Sequence, residues 1–449
     1  MKKFCLLISA VLSALIGLSC ATVQKLFHTP NRNKIQYIRD SEDRIVIYHG
    51  VNVSNFAKQA PDQISWHQPE DFLRLSDWGF NLVRYLIFWE AVEPEPGKYN
   101  EAYMQETIKR IKFLRNHDID VVLDFHQDLY AQKFTGNGFP PWTIRDDGLE
   151  FIPRQPWAMN YLTGPVAACF TNFWKSDELK KAYVKALEYV LSQVTDLDNV
   201  IGIDAINEPF PGLTVRFESK VLTEFYGRVQ EMMKTRGFFK QKLFFEPVIY
   251  TSTGVASTLK FKGEDCVYFP HYYDEMCARW HSYTASNYKI MRKAFQIKLM
   301  EACEFGCPLV YGEYGIQPSV SGYTAFLKDF TDIADEYCTG WTYWSYDMNQ
   351  HNDFGIINDQ KLENTCMKVL VRVYPQRIAG RNPRYGISGN HFELTYETTL
   401  TDAPTIIFIP DLKDVIVSVN GSVVPYADQR LFKYMNDSHP NQKIEVSWK

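Results

Sequence analysis

Eight short apolar runs recur between residues 45 and 373, and each is followed by a longer amphipathic segment. The runs are Ile45 to Val53, Asn81 to Phe88, Asp120 to Phe125, Val200 to Ile206, Lys242 to Ile249, Asp265 to Phe269, Pro308 to Tyr311 and Trp341 to Trp344. The segments between them keep helical spacing. Leu179, Ala182, Tyr183, Ala186, Leu187, Val190, Leu191 and Val194 share one face, behind an N-cap candidate at Ser176 and an acidic first turn, Asp177-Glu178. Apolar strands without alternation need cover on both faces, and eight strand-helix units are enough to close a parallel sheet on itself. The pattern predicts an α/β chain folded as a (β/α)8, or TIM, barrel. Past Arg372-Val-Tyr-Pro-Gln-Arg-Ile-Ala-Gly380 the rhythm changes. His391 to Glu397, Thr405 to Ile409, Val415 to Val419 and Ile444 to Trp448 are short and partly alternating, with turn signals at Pro410-Asp411, Asn420-Gly421 and Pro440-Asn441. They predict a small C-terminal antiparallel β-sandwich. The expected organisation is a signal peptide over 1–21, a barrel over 22–375 and a sandwich over 380–449, which a chain of 449 residues with 45% apolar content can support.

The signal peptide is read from Met1-Lys-Lys3, the apolar stretch Phe4 to Leu18 and the small residues Ser19-Cys20-Ala21. A basic start, a core too short to cross a bilayer and small residues at its end predict a secreted or exported protein. In a bacterium Leu18-Ser19-Cys20 would also suit lipoprotein anchoring at Cys20; Gly17, where a large apolar residue is usual, speaks against it. Seven of the nine cysteines follow this segment, and an oxidising compartment favours pairing, first of Cys266 with Cys277. Cys303 and Cys307 have a ligand-like spacing, yet no Cys/His cluster completes a metal site. A net charge of -5 without a Lys/Arg run argues against nucleic acid as a partner. Aromatics make up 15% of the chain, more than a core needs, and flat rings with polar tips suit sugar and lipid as well as packing. The longest connection, Gln127 to Lys175, carries Trp142, Trp157 and Trp174 and is expected to be a structureless loop that shapes a substrate groove.

Barrels of this kind build their sites where the strands end. Asn207-Glu208-Pro209 follows the fourth run and Glu313 the seventh, so closure of the barrel would bring two carboxylates together at its mouth. Two carboxylates in unlike environments are what a retaining glycosidase needs: one protonates the leaving oxygen, the other attacks the anomeric carbon. Other polar residues end other strands. Arg84, at the second, could hold a nucleophilic carboxylate ionised; His126 and Asp128 end the third, His271 and Tyr273 the sixth, and Trp341 and Trp344 the eighth. Glu246 ends the fifth and could be mistaken for the acid, but only Glu208 follows an asparagine. Glu90 and Glu93 read as rim residues. Plain structural readings stand beside these: an ordinary ion pair for Arg84 and a packed, hydrogen-bonded ring for His271.

In order and identity, Arg84, His126, Asn207-Glu208, His271-Tyr-Tyr273, Glu313 and Trp344 resemble the pattern of glycoside hydrolase family 5 at the ends of strands two, three, four, six, seven and eight. More narrowly, His126-Gln-Asp-Leu-Tyr130, Thr135-Gly-Asn-Gly138, Tyr346-Asp347, the junction Tyr374 to Gly380 and the trailing β domain look like endoglycoceramidases and endogalactosylceramidases, which cut between a glycan and ceramide. The resemblance implies Glu208 as acid/base and Glu313 as nucleophile. It implies substrate-binding roles for Asn207 at the sugar 2-hydroxyl, for His126, Asp128 and Lys58 at other hydroxyls, and for Trp344 as stacking floor, with Tyr273 supporting Glu313 and Arg84 and His271 completing the set. The reaction implied is a double displacement that needs no metal or organic cofactor. The partners implied are a glycosphingolipid substrate and a membrane surface met by the active-site face. Two other functions stay open at this stage. A family 5 endo-β-glycanase acting on glucan or mannan would use the same carboxylates, whereas an apolar trough lined by the loop from Phe134 to Trp174 would mark a ceramide site. An inactive secreted protein that binds glycans or lipids is the second.

Overall fold

The computed structural model describes residues 30–399, 401–427 and 429–449, so the expected signal peptide, with Cys20, lies outside the described residues. All eight expected barrel strands are present: His49–Val53, Leu82–Ile87, Asp120–Phe125, Val200–Asp204, Lys242–Phe245, Cys266–Tyr268 continued by His271–Tyr272, Val310–Tyr314 and Gly340–Tyr343. They pair in parallel in chain order, with strand eight beside strand one. Strand six is interrupted at Phe269-Pro270, where proline has no N–H to give to a ladder. Its first half pairs with strand five; its second half pairs with strand seven through His271 opposite Glu313. A parallel bridge between Tyr268 and Leu309 closes the ring, and the predicted (β/α)8 barrel is what forms.

Alternation along the strands sorts the side chains. Val83, Tyr85, Ile87, Val121, Leu123 and Ile203 face outward into the large core shared with the helices. Leu82, Val122, Phe244 and Val310 face inward and make an apolar barrel floor. Two residues further along the same strands the interior turns polar: Arg84, Asp124 and Glu246, joined by Asp204, are all buried. The helices follow from local signals as well. Helix Asp177–Val194 starts where expected, the Ser176 side chain accepting the Leu179 N–H at 3.2 Å.

The C-terminal part is a pair of antiparallel sheets. One joins Ile45–Val46, Tyr374–Ile378, Thr405–Phe408 and Leu431–Tyr434; the other joins Gly380–Ser388, His391–Thr398, Asn441–Ser447, Ile416–Val419 and Ser422–Val424. Ile378, Phe392, Leu394, Ile407, Val417, Ile444 and Val446 fill the space between them. Asn420 and Gly421 both take positive φ, 50° and 82°, and turn one strand back on the next, as an Asn-Gly pair should. The run Ile45 to Val53 is divided: Ile45 and Val46 pair with Ile378 and Arg377 of the sandwich instead of the barrel. Tyr374–Ile378, in the junction between the two expected domains, is therefore a strand, and the two parts of the chain are laced together.

Four expectations are corrected. Residues 127–175 are not a structureless loop: they contain short 3-10 turns and the helix Gly164–Lys175. Phe134, Phe139, Phe170, Phe173 and Trp174 are buried, so most of these rings serve packing and do not line a trough. Cys266 and Cys277 are both free thiols. Cys266 opens strand six and Cys277 lies in the helix beyond its far end, about 20 Å of strand apart, which no disulfide spans. Trp341 is also buried, stacked on His49 at 4.4 Å, well away from the mouth.

Candidate active site

Glu208 follows strand four and Glu313 belongs to strand seven, and barrel closure brings them face to face. A carboxylate oxygen of each, together with a ring nitrogen of His271, lie within 4.8 Å of one another. That spacing falls in the range of retaining glycosidases, about 5 Å, and is too narrow for the intervening water of an inverting one. Gly312 makes the close approach possible, since a Cβ there would sit 3.0 Å from His271 Nε2 and from the Phe269 ring.

Arg84 lies beneath the pair with no exposed surface. Its Nη1 donates to Glu313 Oε1 at 2.6 Å and to Asn52 Oδ1 at 3.0 Å. Its Nε and Nη2 donate to Asp204 Oδ2, and Nη2 also reaches Asn207 Oδ1, Glu246 Oε1 and Asp124 Oδ1 at 2.8 to 3.0 Å. One guanidinium thus serves four buried carboxylates, a task for the planar fork of arginine. Arg84 and His271 are both buried beside the carboxylates, the His271 ring with Nδ1 3.0 Å from Glu208 Oε1 and Nε2 3.2 Å from Glu246 Oε1.

The two glutamates sit in different electrostatic settings. Burial pushes the Glu313 carboxyl up, but the positive groups His271, Arg84, His126 and Lys58 outweigh it and hold the pKa below the ordinary glutamate value. Tyr273 adds a hydrogen bond from its hydroxyl to Glu313 Oε2 at 2.7 Å. For Glu208, burial and the nearby Glu313 and Asp128 charges raise the pKa against the opposing pull of His271, whose Nδ1 is 3.0 Å from Oε1. The two settings push the carboxyl pKa values apart, Glu313 down and Glu208 up.

The remaining candidate residues form one connected group beside the pair. His126 Nδ1 is 2.6 Å from Asp124 Oδ2, and its Nε2 is 3.3 Å from Asp128 Oδ2. Lys58 Nζ donates to Asp128 Oδ2 at 2.8 Å and lies 4.1 Å from the centre of the Trp344 ring. Lys58 is held there by the Tyr346-Asp347 motif, because Asp347 accepts the N–H groups of Asn55 and Phe56 at the start of the turn that carries it. Trp344 stacks at 5.9 Å on His126. Asn207 Nδ2 gives one hydrogen to the Gln127 carbonyl at 3.0 Å and has a second to offer. Glu90 accepts from Gly138 N–H and Gln63, and Glu93 from Trp89 and Gly97, so both brace loops.

Sequence reasoning passed over Asp124, Asp204, Asn52 and Gln127, and treated Glu246 only as a decoy. Gln127 Nε2 bridges the carbonyls of Asn207 and Glu208 at 2.9 and 3.1 Å and fixes the turn that presents the acid. The signal for the aspartates was available: a charged residue inside a fully buried strand has to be paired.

Around the mouth the βα loops expose large apolar side chains. Leu149, Ile152, Trp157 and Met159 follow strand three, Val215 follows strand four, and Met276 and Trp280 follow strand six; Ile152 and Trp280 are about two thirds exposed, at 65% and 66%.

Comparisons with known proteins agree with this geometry. Endoglycoceramidase I of Rhodococcus hoagii (strain 103S) is 26% identical over 419 residues, covering 84% of this chain and 79% of that protein. The solved structure of endo-glycoceramidase II from Rhodococcus sp. in complex with ganglioside GM3 superposes with a TM-score of 0.85 at 26% identity, over 92% of this chain and 100% of the other. The same enzyme captured as a lactosyl-enzyme intermediate gives a TM-score of 0.83 at 28% identity, again over 92% and 100% of the two chains. The family model of cellulase (glycosyl hydrolase family 5) matches residues 48–350, from the first barrel strand to just past the eighth. Two carboxylates at retaining distance, at the ends of strands four and seven of a closed barrel that this model spans, make the chain a member of glycosyl hydrolase family 5.

Proposed function

We propose that this protein is a retaining endo-β-glycosidase that hydrolyses the bond between the glycan and the ceramide of glycosphingolipids. The paired carboxylates carry the reaction type: within 4.8 Å of one another, Glu313 has its pKa held down and Glu208 has its pKa held up. Similarity to endoglycoceramidases over nearly the whole chain supports the substrate class, as does the apolar rim at the mouth.

The reaction runs in two displacements. Glu313 attacks the anomeric carbon while Glu208 gives its proton to the ceramide oxygen, so ceramide leaves as an alcohol and the glycan stays as an ester on Glu313. Esterification removes the negative charge of Glu313, and with it one cause that kept the Glu208 pKa up; Glu208, now a carboxylate, takes a proton from water as that water attacks the same carbon. Asn207 offers its free N–H to the 2-hydroxyl, Trp344 supplies a flat floor, and His126, Asp128 and Lys58 meet the remaining hydroxyls. Ceramide would leave along the apolar rim.

Incubation with GM3 or lactosylceramide, followed by mass analysis, is expected to give intact ceramide and intact oligosaccharide. Cleavage of soluble glucan or mannan with no release of ceramide would favour the endo-β-glycanase reading, and binding without turnover would favour the inactive one. The pH dependence follows from the two carboxyls. kcat/KM should fall as pH drops through the Glu313 pKa, lying below the ordinary glutamate value, and as pH rises through the Glu208 pKa, lying above it. A bell-shaped profile on lactosylceramide checks both signs.

The same rim is suited to membrane contact. Trp157, Ile152 and Trp280 together changed to serine should weaken sedimentation with neutral phosphatidylcholine vesicles containing lactosylceramide by about tenfold, since each buried apolar side chain contributes about 1.5–3 kcal/mol at full burial and less at an interface. Hydrolysis of a soluble aryl β-lactoside should be unaffected. Equal loss on both substrates would count against a docking role.

A further inference from the structure

The residues assigned to the sugar, Lys58, His126, Asp128 and Trp344, come from the ends of strands one, three and eight. A leaving group bound away from them lies toward the loops of strands four to six. Tyr250 sits there, in the turn Ile249–Thr253 that follows strand five, and strand five stands across the barrel from strand one. Two main-chain hydrogen bonds fix this turn. The Ile249 N–H donates at 3.2 Å to the carbonyl of Pro209, the residue after Glu208, and the Tyr273 N–H donates to the Ser252 carbonyl at 2.9 Å. The turn is thus tied on one side to the acid's loop and on the other to the tyrosine that supports Glu313.

A series of aromatic rings leads from the rim to this turn. Trp157, 41% exposed, has its ring centre 6.2 Å from that of Tyr161; Tyr161 is 4.9 Å from Phe210, and Phe210 is 5.9 Å from Tyr250. Phe210 is buried, and its carbonyl accepts the indole N–H of Trp174 at 2.7 Å. Tyr250 differs from the rings before it. It is half-buried, and its hydroxyl has no hydrogen-bond partner among the described residues while still being open to solvent. Burial alone pushes its pKa up, with no charge or hydrogen bond contributing, so at working pH it is a phenol that can both donate and accept. A partly desolvated hydroxyl without a partner costs stability, and a polar group on a ligand restores the missing bond.

Ceramide has the matching chemistry. Its amide and its 3-hydroxyl sit on the two carbons next to the one that bears the cleaved oxygen, and alkyl chains follow. We propose that Tyr250 is a specificity-determining residue for the leaving group: its hydroxyl bonds the amide or the 3-hydroxyl of ceramide, while its ring and Phe210 line the path of the chains toward the rim. The inference rests on the ceramide reading above. It adds the side chain that tells ceramide from a plain alkyl aglycone.

The test compares lactosylceramide with octyl β-lactoside in the same detergent micelles; the second substrate has the same sugar and an apolar chain but neither amide nor hydroxyl beyond the cleaved oxygen. Tyr250→Phe is expected to lower kcat/KM on lactosylceramide by about three- to tenfold, the size of one net hydrogen bond, and to leave octyl β-lactoside unchanged. Turnover of octyl β-lactoside by the same sample shows that the variant is folded. Tyr250→Ala also removes the ring and should lower kcat/KM on both substrates. An equal change on the two substrates in Tyr250→Phe, or none on lactosylceramide, overturns the polar contact; full octyl β-lactoside turnover in Tyr250→Ala overturns the apolar one. A wild-type protein that cleaves soluble glucan and releases no ceramide refutes the ceramide reading itself, a result seen before any variant is made.

Discussion

Glu313→Ala is expected to lose lactosylceramide hydrolysis by about four orders of magnitude or more, with the protein still folded, because the bond-forming atom itself is gone. Glu208→Ala should lose as much on lactosylceramide, yet behave differently in two respects. An alkoxide of ceramide is a poor leaving group and needs the proton that Glu208 gives, whereas nitrophenolate leaves without one. Glu208→Ala should therefore still release nitrophenol from a nitrophenyl β-lactoside and then stall, the lactose held as an ester on Glu313, because the base that activates water is missing. Azide, needing no general base, should release that ester as the β-azide. In Glu313→Ala the same ion should instead enter from the vacated nucleophile side and give the α-azide. Mass analysis for the adduct and NMR of the anomeric proton read both outcomes. Like behaviour of the two variants would contradict the division of roles.

The second large effect is expected at Arg84. Its guanidinium is shared by Asp124, Asp204, Glu246 and Glu313, all within a few per cent of complete burial. Arg84→Met removes that cation and leaves the carboxylates facing one another in a medium that cannot solvate them; breaking a buried pair from one side costs about 3–5 kcal/mol. The urea unfolding midpoint should fall accordingly. Losing the positive charge beside Glu313 also raises its pKa, so the acid limb of activity should move up in pH. Arg84→Lys separates the two contributions. A lysine restores a charge, and with it much of the acid limb, but its ammonium cannot bridge Glu313 and Asp204 at once, so stability should recover only in part.

Much of the architecture was legible in one dimension because its causes are local. Strands buried on both faces announce themselves as unbroken apolar runs, helices as spaced stripes, and the hairpin at Asn420-Gly421 by the residues that tolerate positive φ. Ser176 caps its helix for the same reason. Where the reading went astray, a distant partner had decided the matter. Ile45 and Val46 are as apolar as the residues after them, yet Ile378 and Arg377 draw them into the sandwich. The aromatic residues of 127–175 could have lined a groove, but the helix Gly164–Lys175 offered a dry place to bury them.

For the site, residue type and place at a strand end were enough to nominate the two carboxylates, with Arg84, His126, Asn207, His271, Tyr273 and Trp344 around them. Chemistry of this kind restricts which side chains will serve, and a sequence displays side chains directly. What each nominee touches was decided by folding. Position along the chain says nothing of whether a charge stands in water or beneath four others, so Arg84 and His271 could be placed at strand ends but not as buried side chains. The same holds for Asp204 and Glu246, whose protonation depends on neighbours from different strands brought within 3.0 Å of one guanidinium. Covalent order fixes which groups are available; a pKa is a property of distances through a low-dielectric interior, and those come into being only when the barrel closes.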